Sequence, residues 1–210
     1  MAVINWIAGN FIEIFGAVTG ILYVFLEIRQ TIWLWPVGIV TSAVYIWIFF
    51  TSKIYADMSL QVYYLIISIL GWYWWSADKR PGHAGGNEES LEKINKLRVT
   101  RLTFRTGVAL LFVFIALFSF MWLVLTRFTD SPVPIRDAFI TSLSIVATWM
   151  LARKIYEHWY LWIIVNFVSA ILFLTRGLYP TVILYIVYGI MSFAGLSEWK
   201  KTIMTLSKDA

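Results

Sequence analysis

The chain has 210 residues, of which 60% are hydrophobic and 14% are charged, and it contains no cysteine. A soluble domain has about 45–50% apolar and about 25% charged residues, so this composition excludes an ordinary soluble protein and a disordered one. The absence of cysteine excludes a disulfide scaffold, thiolate metal sites and a cysteine nucleophile. Composition therefore predicts a polytopic membrane protein, although 12 Trp, 11 Tyr and 15 Phe exceed what lipid anchoring requires.

Seven apolar segments are long enough to cross a bilayer as helices, which takes about 17–25 residues each. They are too long for the strands of a membrane barrel, which have about 10 residues and alternate polar with apolar side chains. In chain order, the predicted helices 1 to 7 cover residues 11–28, 34–51, 58–76, 107–125, 135–151, 159–175 and 180–198. The predicted fold class is an all-α polytopic membrane protein with seven transmembrane helices.

Basic residues are distributed unequally over the connections between these helices. If the N-terminus lies outside, the inner side carries 13 of the 17 Lys and Arg residues and the outer side carries 4. Because cytoplasmic loops are enriched in Lys and Arg, we expect the N-terminus outside and the C-terminus in the cytoplasm. Seven of the 13 lie in the loop 77–106, which we interpret as a solvated topology determinant rather than a segment that binds nucleic acid or lipid.

The sequence contains an internal repeat. At an offset of 124, residues 29–75 align with 153–199 without a gap, and 13 of the 47 pairs are identical. Each repeat has three helices, so helix 4 must recross the membrane and the two repeats run parallel, as in several transporter folds. The predicted 3+1+3 organisation is a first repeat (1–76), a cytoplasmic basic loop (77–106), a linker with helix 4 and an outer loop (107–134), a second repeat (135–199) and a cytoplasmic tail (200–210).

Four of the predicted helices carry polar and aromatic side chains on one face. On helix 6, Trp159, Trp162, Asn166 and Ser169 recur at steps of three and four residues, which places them on one side. An amide that faces lipid would stay unpaired, so Asn166 is expected to face a cavity. The matching faces of helices 2, 3 and 7 carry Trp35, Gly38, Ser42 and Tyr45; Gln61, Tyr64, Ser68 and Gly71; and Tyr185, Tyr188, Ser192 and Gly195.

Simpler roles stay open for several of these side chains. Hydroxyl residues such as Ser68 and Ser192 are typical of helix–helix contacts, and a Trp at a helix end is typical of headgroup anchoring. Glu27 lies at the inner end of helix 1, where its carboxylate either pairs with Arg29 at the interface or faces a substrate. The candidate substrate-binding residues are Trp159, Trp162, Asn166, Gln61, Tyr64, Trp35, Ser42, Tyr45, Tyr188 and Glu27.

Such a lining suits a flat small metabolite, cationic or neutral, because aromatic faces attract diffuse cations and amides and hydroxyls bind polyhydroxyl compounds. The sequence has no phosphate-binding loop, no lysine inside helix 7 for a Schiff base, and only two His, which argues against metal binding or catalysis. We expect no enzyme activity, no cofactor, no metal and no nucleic-acid partner. Passive transport is the simplest function, and a seven-helix receptor that binds a ligand without moving it is the alternative.

Several motifs together resemble the PnuC family of bacterial vitamin transporters. The resemblance covers nearly the whole chain apart from the loop 77–106 and the last ten residues. It includes the Trp-x-x-Trp-x-x-x-Asn motif of Trp159, Trp162 and Asn166. The other matching segments are LWPVG (34–38), YADMSLQVYY (55–64), GWYWW (71–75), ATWMLARK (147–154) and RGLYPT (176–181).

The resemblance implies a homotrimer in the bacterial inner membrane that mediates facilitated diffusion of a vitamin, which a cytoplasmic kinase phosphorylates and thereby traps. It also implies that Trp159, Trp162 and Asn166 contribute to substrate recognition, together with Gln61 and Tyr64. The family includes transporters of nicotinamide riboside and of thiamine, with riboflavin rarer, so the substrate stays open. The intact motif slightly favours nicotinamide riboside, whereas Glu27 in the segment YVFLEIRQ (23–30) resembles the thiamine branch.

Overall fold

The structure is a computed structural model that describes residues 11–51, 55–77, 99–129 and 132–206, with backbone only for 55–57, 77 and 206. These residues form seven α-helices in the order predicted, which confirms the all-α fold class. Most of the predicted basic loop, the first ten residues and the end of the predicted tail lie outside the described residues. The helices are α1 Phe11–Ile28, α2 Leu34–Thr51, α3 Tyr55–Ala77, α4 Phe104–Phe128, α5 Pro134–Ala152, α6 His158–Thr175 and α7 Tyr179–Leu206.

Six of the seven helices are long and apolar enough to cross a membrane, namely α1, α2, α4, α5, α6 and α7. The exception among the predicted spans is α3, which has 23 residues but is less apolar because it includes Gln61, Ser68 and several Tyr and Trp residues. None of the 25 residues of α4 is fully buried: most are exposed, while Leu110, Phe114 and Leu117 are partly buried against the second unit. The chain is a multi-pass membrane protein.

Contacts divide the chain into two compact units, Met1–Ser76 and Ala77–Ala210. Within the first unit, α1 packs against α2; within the second, α5 packs against α4 and α6, and α6 packs against α7. In the second unit, Val146 and Met150 of α5 and Ile155 of the following turn form a buried apolar cluster. Leu102 is among the side chains that pack against it.

Several helix ends lie one to three residues outside the predicted bounds, and α4 and α7 differ most in length. α4 begins at Phe104 and not at 107, because the hydroxyl of Thr103 accepts a hydrogen bond from the Thr106 amide at 3.4 Å and caps the helix. α7 continues to Leu206 and not to 198, so most of the predicted tail is helical, with an ion pair of 3.3 Å between Lys201 and Glu198. Because 28 residues of helix extend about 42 Å and the hydrocarbon core is about 30 Å thick, α7 extends beyond the hydrocarbon core.

The turn between α1 and α2 and the turn between α5 and α6 have the same backbone conformation, 124 residues apart. Gln30 and Lys154 both adopt a positive φ, 54° and 52°, which is uncommon outside glycine. The hydrogen bonds also correspond: Thr31 donates to the Leu26 carbonyl at 3.1 Å, as Ile155 does to the Met150 carbonyl at 2.9 Å. A geometry that recurs at the repeat offset is a property of the repeated sequence.

Candidate functional site

Trp159 begins the polar face of α6 and is completely buried inside its own unit. Its ring lies over Gly195 of α7, where an added Cβ would overlap the indole. Trp199, one turn further along α7, meets the same indole edge to face, with ring centroids 5.9 Å apart and planes at 83°. His158 adds a third ring 4.7 Å from each of these two, and its Nδ1 lies 2.7 Å from the Ile155 carbonyl oxygen.

The first unit contains the same contact at the repeat offset. Trp35 is completely buried and lies over Gly71, where an added Cβ would be 2.5 Å from the ring. Trp75 meets Trp35 edge to face, with centroids 5.3 Å apart and planes at 90°. Each of these two candidate Trp residues therefore packs two helices of its own unit against each other. Neither lies on a lipid-facing surface, as an aromatic belt residue would.

Asn166 lies in the middle of α6 and is 6% exposed. Its Nδ2–H donates to the Ser192 hydroxyl of α7 at 3.1 Å, and that hydroxyl donates to the Tyr188 backbone carbonyl at 2.8 Å. Gly189 leaves space beside the amide, since an added Cβ there would be 4.0 Å from the Asn166 Cβ. The amide is thus held in one orientation by a chain of hydrogen bonds that ends on the α7 backbone.

Three indole N–H groups are buried without an acceptor among the described residues. They belong to Trp35, Trp159 and Trp162. An unpaired buried donor costs roughly 1–3 kcal/mol, and in the middle of a membrane protein no bulk water compensates for it. Trp162 is one turn before Asn166, so its donor and the Asn166 amide lie on the same side of α6 and suit a ligand that carries hydroxyl or carbonyl oxygens.

Beyond Asn166, the α6–α7 face becomes aromatic. Phe173 stacks on Tyr185 with centroids 5.3 Å apart and planes at 20°, and Tyr185 meets Tyr188 at 5.9 Å and 85°. Sequence reasoning placed Tyr185 and Tyr188 on this face but missed Phe173. The signal was available, because Asn166, Ser169 and Phe173 continue the same steps of three and four residues.

In the first unit, Gln61 and Tyr64 are half-buried and Ser42 is 4% exposed. Tyr45, another candidate, has its ring against Gly16 of α1 and donates its hydroxyl to the Ile12 carbonyl at 3.4 Å. The contact of Tyr45 is thus with the neighbouring helix of its own unit.

Glu27 is only 2% exposed, so its carboxylate is buried and does not lie at a solvated interface. Tyr23, one turn before it, is close enough to interact electrostatically with Glu27, Tyr63 and Tyr64. The structure therefore brings the candidates Glu27 and Tyr64 together around Tyr23, a residue that sequence reasoning missed.

In each unit, one of two neighbouring helices carries a large aromatic side chain and the other carries a small residue. The helix that carries the large side chain differs between the two units. At the offset of 124, Gly38 of α2 corresponds to Trp162 of α6, and Tyr23 of α1 corresponds to Ala147 of α5. In the first unit, the Tyr23 ring lies 3.1 Å from where a Cβ on Gly38 would be. Each unit therefore has one large aromatic side chain and one small residue at this pair of positions, supplied by opposite helices.

Residues 10–201 match the family described as nicotinamide mononucleotide transporter. Among curated relatives, the nicotinamide riboside transporter PnuC of Escherichia coli is 28% identical, over 90% of this chain and 85% of that protein. The riboflavin/roseoflavin transporter RibM of Streptomyces davaonensis is 25% identical, over 89% and 83%. A crystal structure of the vitamin B3 transporter PnuC has the same fold, with a TM-score of 0.71 and 22% identity over 97% of this chain and 86% of that one.

Proposed function

Since this chain belongs to the nicotinamide mononucleotide transporter family, whose relatives named above are membrane vitamin transporters, we propose that its substrate is nicotinamide riboside. Uptake is facilitated diffusion across the bacterial inner membrane. The observation that carries the proposal is the polar centre of α6, where the fixed Asn166 amide and the unpaired Trp162 indole N–H lie on one side of the helix.

Nicotinamide riboside offers complementary chemistry to this face. Its pyridinium ring is flat and its positive charge is diffuse, and an aromatic face attracts such a cation by roughly 0.5–2 kcal/mol. Its ribose hydroxyls and carboxamide oxygen accept hydrogen bonds from an indole or amide N–H. The proposal assigns stacking and hydrogen bonding to Trp162, hydrogen bonding to Asn166, and a supporting role to Trp159 and Tyr188.

The phosphorylated vitamin fits this face less well. Lys and Arg residues of the described helices lie within the first or last two turns, as Arg105, Arg127 and Arg136 illustrate. A phosphate would therefore enter the spans without a cation to pair with, although it carries about −1.5 to −2 charges. The phosphorylated vitamin therefore cannot return through these spans. A cytoplasmic kinase that makes it would render uptake directional.

The proposed architecture has seven spans in two parallel three-helix repeats joined by α4, with the N-terminus outside and a homotrimer as the assembly. α3 is included as a span because α7, its repeat counterpart, is apolar enough to cross. The recurring turns and the matched Trp–Gly contacts support the repeat, and the 13-to-4 distribution of basic residues supports the orientation.

Uptake into proteoliposomes tests the function. Vesicles that contain the purified chain and a riboside kinase with ATP should accumulate labelled nicotinamide riboside as its phosphate, and vesicles without kinase should only equilibrate. Counterflow of neither nicotinamide riboside nor thiamine would refute transport of either vitamin, while binding without counterflow would favour a receptor.

Thiamine is the second candidate substrate because of Glu27. Its buried carboxylate could accept hydrogen bonds from the aminopyrimidine of thiamine, whereas nicotinamide has no matching amidine-like edge. Competition of each unlabelled vitamin against the other in the same vesicles separates the two substrates.

A further inference from the structure

Residues 99–103, which we call the strap, bind to the turn between α5 and α6. The Thr100 amide donates to the Lys154 carbonyl at 3.0 Å, and the Tyr156 amide donates to the Thr100 carbonyl at 2.9 Å. The Leu102 amide donates to the Glu157 carboxylate at 2.8 Å. Three backbone groups of the strap are thus bonded to a turn that lies more than 50 residues later in the sequence.

Side chains strengthen the same attachment. Leu102 packs against the buried cluster of Val146, Met150 and Ile155, and Val99 is 7% exposed. Burial, reinforced by the Tyr160 hydroxyl and by Glu157, raises the pKa of Tyr156 to about 12, so its phenol stays neutral in this packed site even well above physiological pH. Thr103, the last residue of the strap, caps α4.

The turn does not need the strap in order to form. The turn between α1 and α2 has the same positive φ and the same hydrogen bonds, but Trp33 occupies the position that corresponds to Glu157 and is 68% exposed. Among the described residues, the strap and its carboxylate acceptor are therefore found only at the turn of the second unit, and folding of the turn does not explain them.

The placement of Glu157 points to what the attachment does. Glu157 is the N-cap residue of α6, yet its side chain does not cap its own helix and instead binds the strap. α6 begins with the next residue, and its first turns carry Trp159 and Trp162. A carboxylate here also interacts favourably with the positive end of the α6 dipole.

We propose that Glu157 is a positioning residue for substrate binding: through the strap it fixes the start of α6, and with it the placement of Trp162 and Asn166. The inference rests on the proposed function, in which these two side chains contact the substrate. Since the hydrogen-bond partner of Glu157 is a backbone amide, the role requires an acceptor oxygen more than a negative charge.

Equilibrium binding of nicotinamide riboside to the full chain in detergent tests the role. Glu157→Ala should raise Kd about tenfold while the maximal uptake rate changes less than about twofold, because the loss is one of placement. Glu157→Gln keeps an acceptor oxygen and should recover most of the affinity. Glu198→Ala is the matched control, since it removes an exposed carboxylate from α7 and should leave Kd unchanged.

A cross-link separates positioning from other effects of the carboxylate. The chain has no cysteine, so Thr100→Cys and Ile155→Cys, at residues paired in a parallel bridge, add a single disulfide within the Glu157→Ala protein. Oxidation should return Kd to within about threefold of the wild type and leave uptake intact, and reduction should abolish the recovery. The proposal is overturned if oxidation leaves the Kd of the Glu157→Ala protein unchanged. It is also overturned if the disulfide blocks uptake while binding persists.

Hydrogen exchange distinguishes a failure of this proposal from a failure of the proposed function. In Glu157→Ala, amides of residues 158–162 should exchange faster, and the disulfide should slow them again. If the wild type binds no vitamin but exchange responds in this way, the proposed function fails and the anchoring of α6 stands. Unchanged exchange together with unchanged Kd overturns the strap's role.

Discussion

Asn166 is a polar residue in the middle of α6 whose side-chain orientation is defined by burial together with hydrogen bonding. Because its Nδ2 bonds to Ser192, the amide is held in place before a ligand arrives. Preorganisation of this kind lowers the entropy lost on binding. It also means that truncation removes a group whose orientation is already fixed, so the loss of affinity should be large.

We expect Asn166→Ala to weaken binding of nicotinamide riboside by about tenfold or more, because the site loses its amide and the Ser192 hydroxyl loses its partner. Calorimetric titration of the purified chain measures the effect. Phe167→Ala is the control, since the adjacent side chain is 67% exposed on another side of the helix and should leave Kd within about twofold. Equal Kd values for both variants would place recognition elsewhere.

We expect Glu27 to discriminate between the two vitamins. Glu27→Gln keeps the shape of the side chain but removes its charge, so competition by thiamine should weaken about tenfold while Kd for nicotinamide riboside changes less than about threefold. Glu13→Gln, at the exposed opposite end of the same helix, serves as the control. If Glu27→Gln, but not Glu13→Gln, strongly weakened binding of nicotinamide riboside, the Glu27 carboxylate would interact with the charge of the pyridinium ring instead.

At the scale of elements, the Trp–Gly contacts hold α6 to α7 and α2 to α3. We expect Gly195→Ala to destabilise the protein by about 1–3 kcal/mol, because the new Cβ would overlap the rigid Trp159 ring. Thermal unfolding in detergent, followed by Trp fluorescence, measures the loss. Gly189→Ala on the same helix should be tolerated, since its Cβ would find its nearest neighbour at 4.0 Å. Identical melting temperatures would mean that the Trp159 contact carries no stability.

The end of α1 at Ile28 and the start of α2 at Leu34 could be predicted to the residue, because the apolar runs are interrupted between them by Arg29, Gln30 and Thr31. α4 and α7 were predicted too short, since hydropathy detects the part of a helix in lipid and not the part that continues into water. The Thr103 cap and the last turns around Lys201 belong to that second part.

The arrangement of the candidate residues was predictable within a single helix face, as with Trp162 and Asn166. It was not predictable where distant segments meet. Tyr23 of α1 lies close enough to Tyr64 of α3 to interact with it electrostatically, and Glu157 binds Leu102 across 55 residues. Spacing along one helix gives no information about such contacts.

At the scale of the whole molecule, the offset of 124 relates helix starts, turn conformations and Trp–Gly contacts in the two units. The units nevertheless differ where chemistry is expected. Asn166 corresponds to Ser42, Leu151 to Glu27 and Trp162 to Gly38. At these positions the second unit carries the indole and the amide of the proposed site, and the first unit carries the buried carboxylate.

Orientation in the membrane can be measured because the chain lacks cysteine. With the N-terminus outside, Arg176→Cys should react with a membrane-impermeant maleimide in intact cells, and Lys200→Cys should react only after permeabilisation. Both native side chains are exposed. Phe193→Cys is the control, since this side chain is 60% exposed on a span and should stay unlabelled in lipid on either side. If Lys200→Cys alone were labelled in intact cells, the orientation would be the opposite of the one proposed, and the inner connections would carry the minority of the basic residues.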